Sequence, residues 1–296
     1  MIENFSAHLW WGFALASSIV SAGVYLAGQY LALSPMTKTF WRGLIPLFVL
    51  SPVLFFVDIP TSPFFYGATL FSGLIVTYTD TKNFEAANRF GAGITARMKP
   101  FVIWLVFLLW FIWDAPTRQA LLNAPIELIG VVAMLLIGAC SAFYMNRCAV
   151  SRNALMFFLP LIALATCVDL LNKTAMDSSG LLSGIIVYAW LQALIITALS
   201  IGTLSRQQDF ALSALISTHA LKVGLIVGTL FILANLTKNA AMSFTTNPSY
   251  VTAIMFTNPF WVSLYYRCIR HKEIANIWAG YGLVGSALGL ILITSH

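Results

Sequence analysis

Charge is what this chain has least of. Asp, Glu, Lys and Arg make up 9% of its 296 residues and mean hydropathy is +0.86, where soluble domains run to about a quarter charged. A water-soluble globular fold is excluded on that ground. The marks of common chemistries are missing as well. There is no His-Glu-x-x-His, no Gly-x-Ser-x-Gly and no phosphate loop, and the four histidines, His8, His219, His271 and His296, are scattered. The chain is therefore expected not to be an enzyme and to need no cofactor and no metal. Its four cysteines, Cys140, Cys148, Cys167 and Cys268, form no Cys-x-x-Cys pair and read as small buried hydrophobes. The first apolar run, near Trp10, lacks a basic leader and an Ala-x-Ala site, so it reads as a retained span.

What the chain has is oil in long runs. A helix needs about 20 residues to cross the hydrocarbon core, and the sequence offers ten such runs: 9–32, 39–57, 63–84, 92–113, 124–146, 153–175, 183–204, 214–243, 249–267 and 275–294. Between them lie Ser34-Pro35, Pro60-Thr61-Ser62-Pro63, Asp114-Ala115-Pro116, Ser178-Ser179-Gly180 and Asn247-Pro248, all turn formers. The runs are continuous rather than alternating with period two, which predicts helices and not barrel strands. The eighth is long enough to begin as an interfacial turn. The expectation is an all-α integral membrane protein with ten transmembrane helices.

Two halves repeat weakly. A shift of 159 lays Asn88 on Asn247, Pro100-Phe101 on Pro259-Phe260 and Asp80 on Asn239; a shift of 144 lays Tyr25 on Asp169 and Gln29 on Lys173. Residues 1–150 and 151–296 then form two five-helix repeats in one membrane domain. Five is odd, so the second repeat enters from the opposite face, as in transporters that alternate access around a midplane site. The net charge of +6 fits cytoplasmic loops better than nucleic acid. Lys38, Arg42, Arg89, Arg147, Arg152, Arg206, Arg267, Arg270 and Lys272 gather on one side, with little beyond Arg118 opposite. The positive-inside rule makes the first side cytoplasmic and both termini non-cytoplasmic, most simply in a bacterial inner membrane.

Two five-helix halves, Ser34-Pro35 followed by Thr39-Phe40-Trp41-Arg42, and a proline inside the fourth and ninth runs resemble the drug/metabolite transporter superfamily, EamA-type branch. In that family small residues lead to a proline step in the fourth helix. Here Gly91-Ala92-Gly93 leads to Lys99-Pro100-Phe101, and Thr252-Ala253 leads to Asn258-Pro259-Phe260. The resemblance implies a ten-helix inverted repeat, a central cavity lined by helices 1, 3, 4, 6, 8 and 9, and secondary transport of small metabolites. The chain departs from the pattern in three places. The Gly-Glu pair after helices four and nine is replaced by Trp113-Asp114 and His271-Lys272-Glu273, Arg97 and Lys99 stand where bland residues are usual, and the family's cytoplasmic termini oppose the charge count.

Intramembrane charge costs about 2.5–3.5 kcal/mol per group at a helix centre, so such groups pair or line water. Asp80, Lys82, Arg97 and Lys99 stand in the first half, Asp169, Lys173 and Lys238 in the second. Asp169 and Lys173 are four apart, the spacing of a helical acid-before-base pair. Asp80 and Lys82 are two apart, so each needs a partner elsewhere. Three readings stand side by side. One is a cationic substrate cavity with Asp80 or Asp169 as a proton site, joined by Tyr25, Gln29 and Asn239 from the repeat and by the deep Trp190. Another is structural gate pairs such as Asp169–Lys173 and Asp80–Lys238. The third has Lys82, Arg97 and Lys99 snorkelling to the headgroups. Pro100 and Pro259 are expected to kink their helices and free a carbonyl toward the substrate. Trp10, Trp11, Trp41, Trp110, Trp113 and Trp278 read as interfacial anchors, and the glycines at 130–138 and 280–289 as the close seam of helices five and ten.

The resulting expectation is a secondary active transporter of a small anionic or zwitterionic metabolite, with protons as an optional coupling ion. Its partners are that small molecule and the lipid bilayer, without nucleic acid, in a monomer or homodimer. A flippase for a lipid-linked phosphate or sugar is the near alternative. A non-transporting assembly subunit or an integral membrane enzyme is the alternative from another class.

Overall fold

The computed structural model describes residues 9–98, 101–145, 152–207, 212–270 and 276–294. Among them the first half holds α1 (Trp10–Tyr30), α2 (Pro35–Leu50) running into a 3-10 turn at Ser51–Phe56, α3 (Pro63–Phe90), α4 (Ala92–Arg97), α5 (Phe101–Trp113), α6 (Ala115–Asn123) and α7 (Pro125–Tyr144). The second half holds α8 (Arg152–Asp177), α9 (Leu181–Leu204), the single turn α10 (Leu212–Leu215), α11 (Thr218–Phe244), α12 (Pro248–Met255), α13 (Asn258–Cys268) and α14 (Ile277–Thr294). No strand occurs among the described residues. Among the described residues eight helical stretches are long and apolar enough to cross a membrane: α1, α2 with its 3-10 turn, α4–α5, α7, α8, α9, α11 and α14. The chain is an all-α, multi-pass membrane protein.

The breaks fall where the turn residues predicted them. Ser34 accepts a hydrogen bond from the Thr37 amide at 3.1 Å, with Pro35 opening α2. Asp114 caps α6 through the Thr117 amide at 2.9 Å, and Asn247 caps α12 through the Ser249 amide at 3.0 Å. Each side-chain acceptor satisfies an amide that the first helical turn leaves open.

Three boundaries differ from expectation. The second helix begins at Pro35 rather than 39, because the Ser34 cap starts it. The third runs on to Phe90 rather than 84, and Gly91, at φ 89°, ends it in a conformation that favours glycine. Arg89 therefore sits in the exposed last turn of a helix and not in a loop. The ninth apolar run is two helices: α12 stops at Met255, and α13 restarts at Asn258 with Pro259 in its first turn. Pro259 opens a new helix rather than bending a continuous one, while Pro100 and Lys99 lie outside the described residues.

Helices pack in a cross-braced pattern. α1 lies on α11, α3 on α8, α2 on both α9 and α11, and α3 on α9. α7 and α14 pair with each other at the margin. Their seam is built of small residues, as expected: a Cβ placed at Gly138 would come within 2.9 Å of Ser286 Oγ, and one at Gly282 within 2.6 Å of Ser141 Oγ. The tryptophans divide. Trp11, Trp113 and Trp278 are exposed to the surroundings, but Trp10, Trp41 and Trp110 are buried. Packing claims these three: Trp41 abuts Gly224 of α11, and Trp110 donates to the Thr246 carbonyl at 3.2 Å.

Candidate functional site

At mid-height of the bundle, α1, α2, α3, α8, α9, α11 and the end of α12 enclose a cavity of about 190 Å³. A smaller one of about 80 Å³ shares its wall at Ser21, Tyr25, Asp80, Asn83, Phe231 and Ala234. Four charged side chains line the larger space, and they come as two pairs. Arg42 of α2 meets Asp80 of α3, and Lys238 of α11 meets Asp169 of α8.

The two pairs are held differently. Asp169 spends both oxygens: Oδ1 accepts from Lys238 and Oδ2 accepts from Thr252 Oγ1 at 2.8 Å. One carboxylate thus ties α8, α11 and α12 together. Arg42 instead lays its guanidinium on the Phe231 ring, 4.2 Å from the centroid, and keeps Nε without a hydrogen-bond partner among the described residues. Asn83, one turn beyond Asp80 on α3, likewise keeps a buried Oδ1 without a partner.

From the cavity wall, at Asn172, Gln192 and Asn235, a neutral network runs back into the bundle. Tyr188 donates to Asn172 and shares a 2.6 Å hydrogen bond with Ser72; Gln192 donates to both Ser72 and Tyr188. Asn235 donates to Gln192 Oε1 at 2.8 Å, and Asn239 donates to Asn235 Oδ1 at 2.8 Å. All of these polar groups but the half-buried Asn235 are almost fully shielded from water, and mutual hydrogen bonding is what makes their burial tolerable.

Of the residues expected at a site, the structure brings Tyr25, Asp80, Asp169 and Lys238 into the cavity wall. Asn239 stands one residue behind, through Asn235. The rest are engaged elsewhere. Lys82 pairs with Glu85 near the surface. Arg97 is buried with Nε on the Gly93 carbonyl and a terminal nitrogen on the Met145 carbonyl. Gln29 accepts from the Ala92 amide and from Tyr266 OH. Trp190 donates to Ser51 Oγ at 3.0 Å.

Both anticipated pairings are corrected. Lys173 binds Asp177 and the Met242 carbonyl, not Asp169, and Asp80 binds Arg42, not Lys238. A local helical pairing is worth only tenths of a kcal/mol, so Asp169 gives it up for Lys238 of α11, and Lys173 takes the next local carboxylate, Asp177, four residues on. The carbonyl freed at the Met255 break is not offered to the cavity either: Ser18 of α1 donates to it at 3.1 Å and reaches Thr257 Oγ1 at 2.8 Å.

Arg42, Asn83, Asn172, Gln192 and Asn235 were not anticipated. Arg42 looked like a loop cation because the second run was started at 39; the Ser34 cap would have placed it eight residues into the helix. The amides carry no charge to draw attention within an apolar run.

No family model matches the chain, and no curated protein does. Fourteen chains of solved structures match. One, described only as a crystal structure of a protein, superposes with a TM-score of 0.69 at 14% identity, covering 97% of this chain and 96% of that one. At that identity the likeness shows the fold alone.

Proposed function

We propose that this protein is a secondary transporter that moves a small organic metabolite by alternating access. The observation that carries the proposal is the cavity itself: two largely buried acid–base pairs, one from each half of the chain, face one space between the helices. Burying four charges where lipid surrounds the fold is costly, and such groups as a rule mark a solute path.

The packing supports ten spans in two inverted repeats. Exchanging residues 1–150 with 151–296 turns the α1–α11 contact into the α8–α3 contact, and α2–α11 into α9–α3. The same exchange turns α1 against α13 into α8 against α5, and α1 against α4 into α8 against α12, while α2–α9 and α7–α14 map onto themselves. In the second half the ninth apolar run is interrupted between α12 and α13, and broken helices recur in transporters with midplane sites. This arrangement is consistent with membership of the drug/metabolite transporter superfamily.

Reconstituted protein is expected to accelerate exchange of a labelled solute across liposomes in a panel of small metabolites. Ser21→Trp, which fills both cavities from α1, should cut that flux at least tenfold while insertion stays normal. Flux no faster than in protein-free liposomes for the whole panel would end the transport reading.

Orientation is read from the exposed cations at helix ends, Arg89, Arg206, Arg267 and Arg270, which put both termini on the non-cytoplasmic side of a bacterial inner membrane. A periplasm-dependent reporter fused after His296 should be active. A silent reporter on a well-expressed fusion reverses the topology.

A further inference from the structure

This inference rests on the transport reading and concerns what the cavity holds. Its lining carries Arg42 and Lys238 against Asp80 and Asp169, so the formal charge sums to zero. In a low-dielectric interior a monoanion or a monocation would add one charge without a counterpart. A dipolar solute adds none.

The two pairs are not equally able to receive it. Asp169 has a donor on each oxygen, Lys238 on one and Thr252 on the other, and so braces three helices together. At the other end a donor and an acceptor are spare beside one carboxylate: Arg42 Nε and Asn83 Oδ1, both flanking Asp80. Phe231 holds the guanidinium plane from one face, 4.2 Å away. A guanidinium fork matches the planar geometry of a carboxylate, and an aspartate with an amide oxygen matches an ammonium. Val76, Ala234 and Met255 leave an apolar wall beside them.

We propose that the cavity binds a compact zwitterion of the amino-acid type, its carboxylate on Arg42 and its ammonium shared by Asp80 and Asn83. Burial of the two orphaned atoms is then relieved by the solute, because an unpaired polar group in the interior is the costly state.

The test is a matched ligand series on the intact protein in nanodiscs, read by thermal unfolding and calorimetry: L-norleucine, hexanoate and pentylamine. Norleucine carries both charges, and each of the others keeps one. Norleucine is expected to raise the unfolding temperature, with the two single-charge compounds binding at least tenfold more weakly. Arg42→Lys, which keeps the charge and loses the fork, and Asn83→Leu should each weaken norleucine at least tenfold in protein that still unfolds cooperatively. Hexanoate or pentylamine binding as tightly as norleucine overturns the proposal, as does norleucine failing to bind wild-type protein. Neither result bears on transport as such, which the Ser21→Trp flux decides.

Discussion

Lys238→Met is expected to destabilise the protein by about 3–5 kcal/mol, the usual cost of stranding one member of a buried ion pair. Asp169 would keep only Thr252 as a partner, inside a site where it is 6% exposed. The loss should appear as a lower midpoint in reversible unfolding from mixed micelles. Replacing both members, Asp169→Leu with Lys238→Met, should restore most of it, since removing a buried pair as a unit is often close to neutral. The asymmetry between single and double variants separates a brace from a sum of independent contacts. A double variant as unstable as the single one would mean that the charges matter for some reason other than each other.

Gly43→Ala should cost about 1–3 kcal/mol, as overpacking does in a tight interior. A Cβ on Gly43 would lie 2.9 Å from both the Ala193 carbonyl oxygen and the Thr197 amide nitrogen of α9. Backbone atoms cannot rotate aside as a side chain can, so α2 and α9 would have to separate. Gly67→Ala in α3 is the matched control, because nothing lies within 4 Å of the added methyl. There the helix preference for Ala over Gly, roughly 0.5–1 kcal/mol, should act alone and raise stability. Shifts of the same sign at both positions would contradict the packing argument.

Much of this architecture is legible in the sequence, and the reason is local. Proline after serine or asparagine, and aspartate before a helix, act through the next turn of backbone, so the five breaks that carry such residues could be read from the sequence, while those at Gly91 and after Met255 could not. The glycine seam of α7 and α14 was legible for the same reason: close helix approach needs small side chains, whatever the partner. Pairing across helices was not. Asp169 sits near Lys173 in sequence but bonds Lys238, 69 positions on. No short-range rule reports which of two lysines stands at the right height on a neighbouring helix. Asn88, which the 159-residue shift lays on the capping Asn247, caps nothing: it lies inside α3 and accepts from Lys38 at 3.4 Å. Buried tryptophans fail for a related reason. A ring near the end of an apolar run looks the same in sequence whether it meets headgroups or a glycine on the helix beside it.

The marginal pair α7–α14 bears on how such a chain could be divided. Neither helix lends a side chain to the two central cavities. Each is the last helix of its half, and each finds its main partner in the other half. A fragment ending at Tyr144, or one beginning at Arg152, would therefore present a strip of glycine and serine to lipid with nothing to fill it. Expressed as two polypeptides, the halves should depend on each other for persistence, and the first thing each would lose alone is a helix with no part in the cavity.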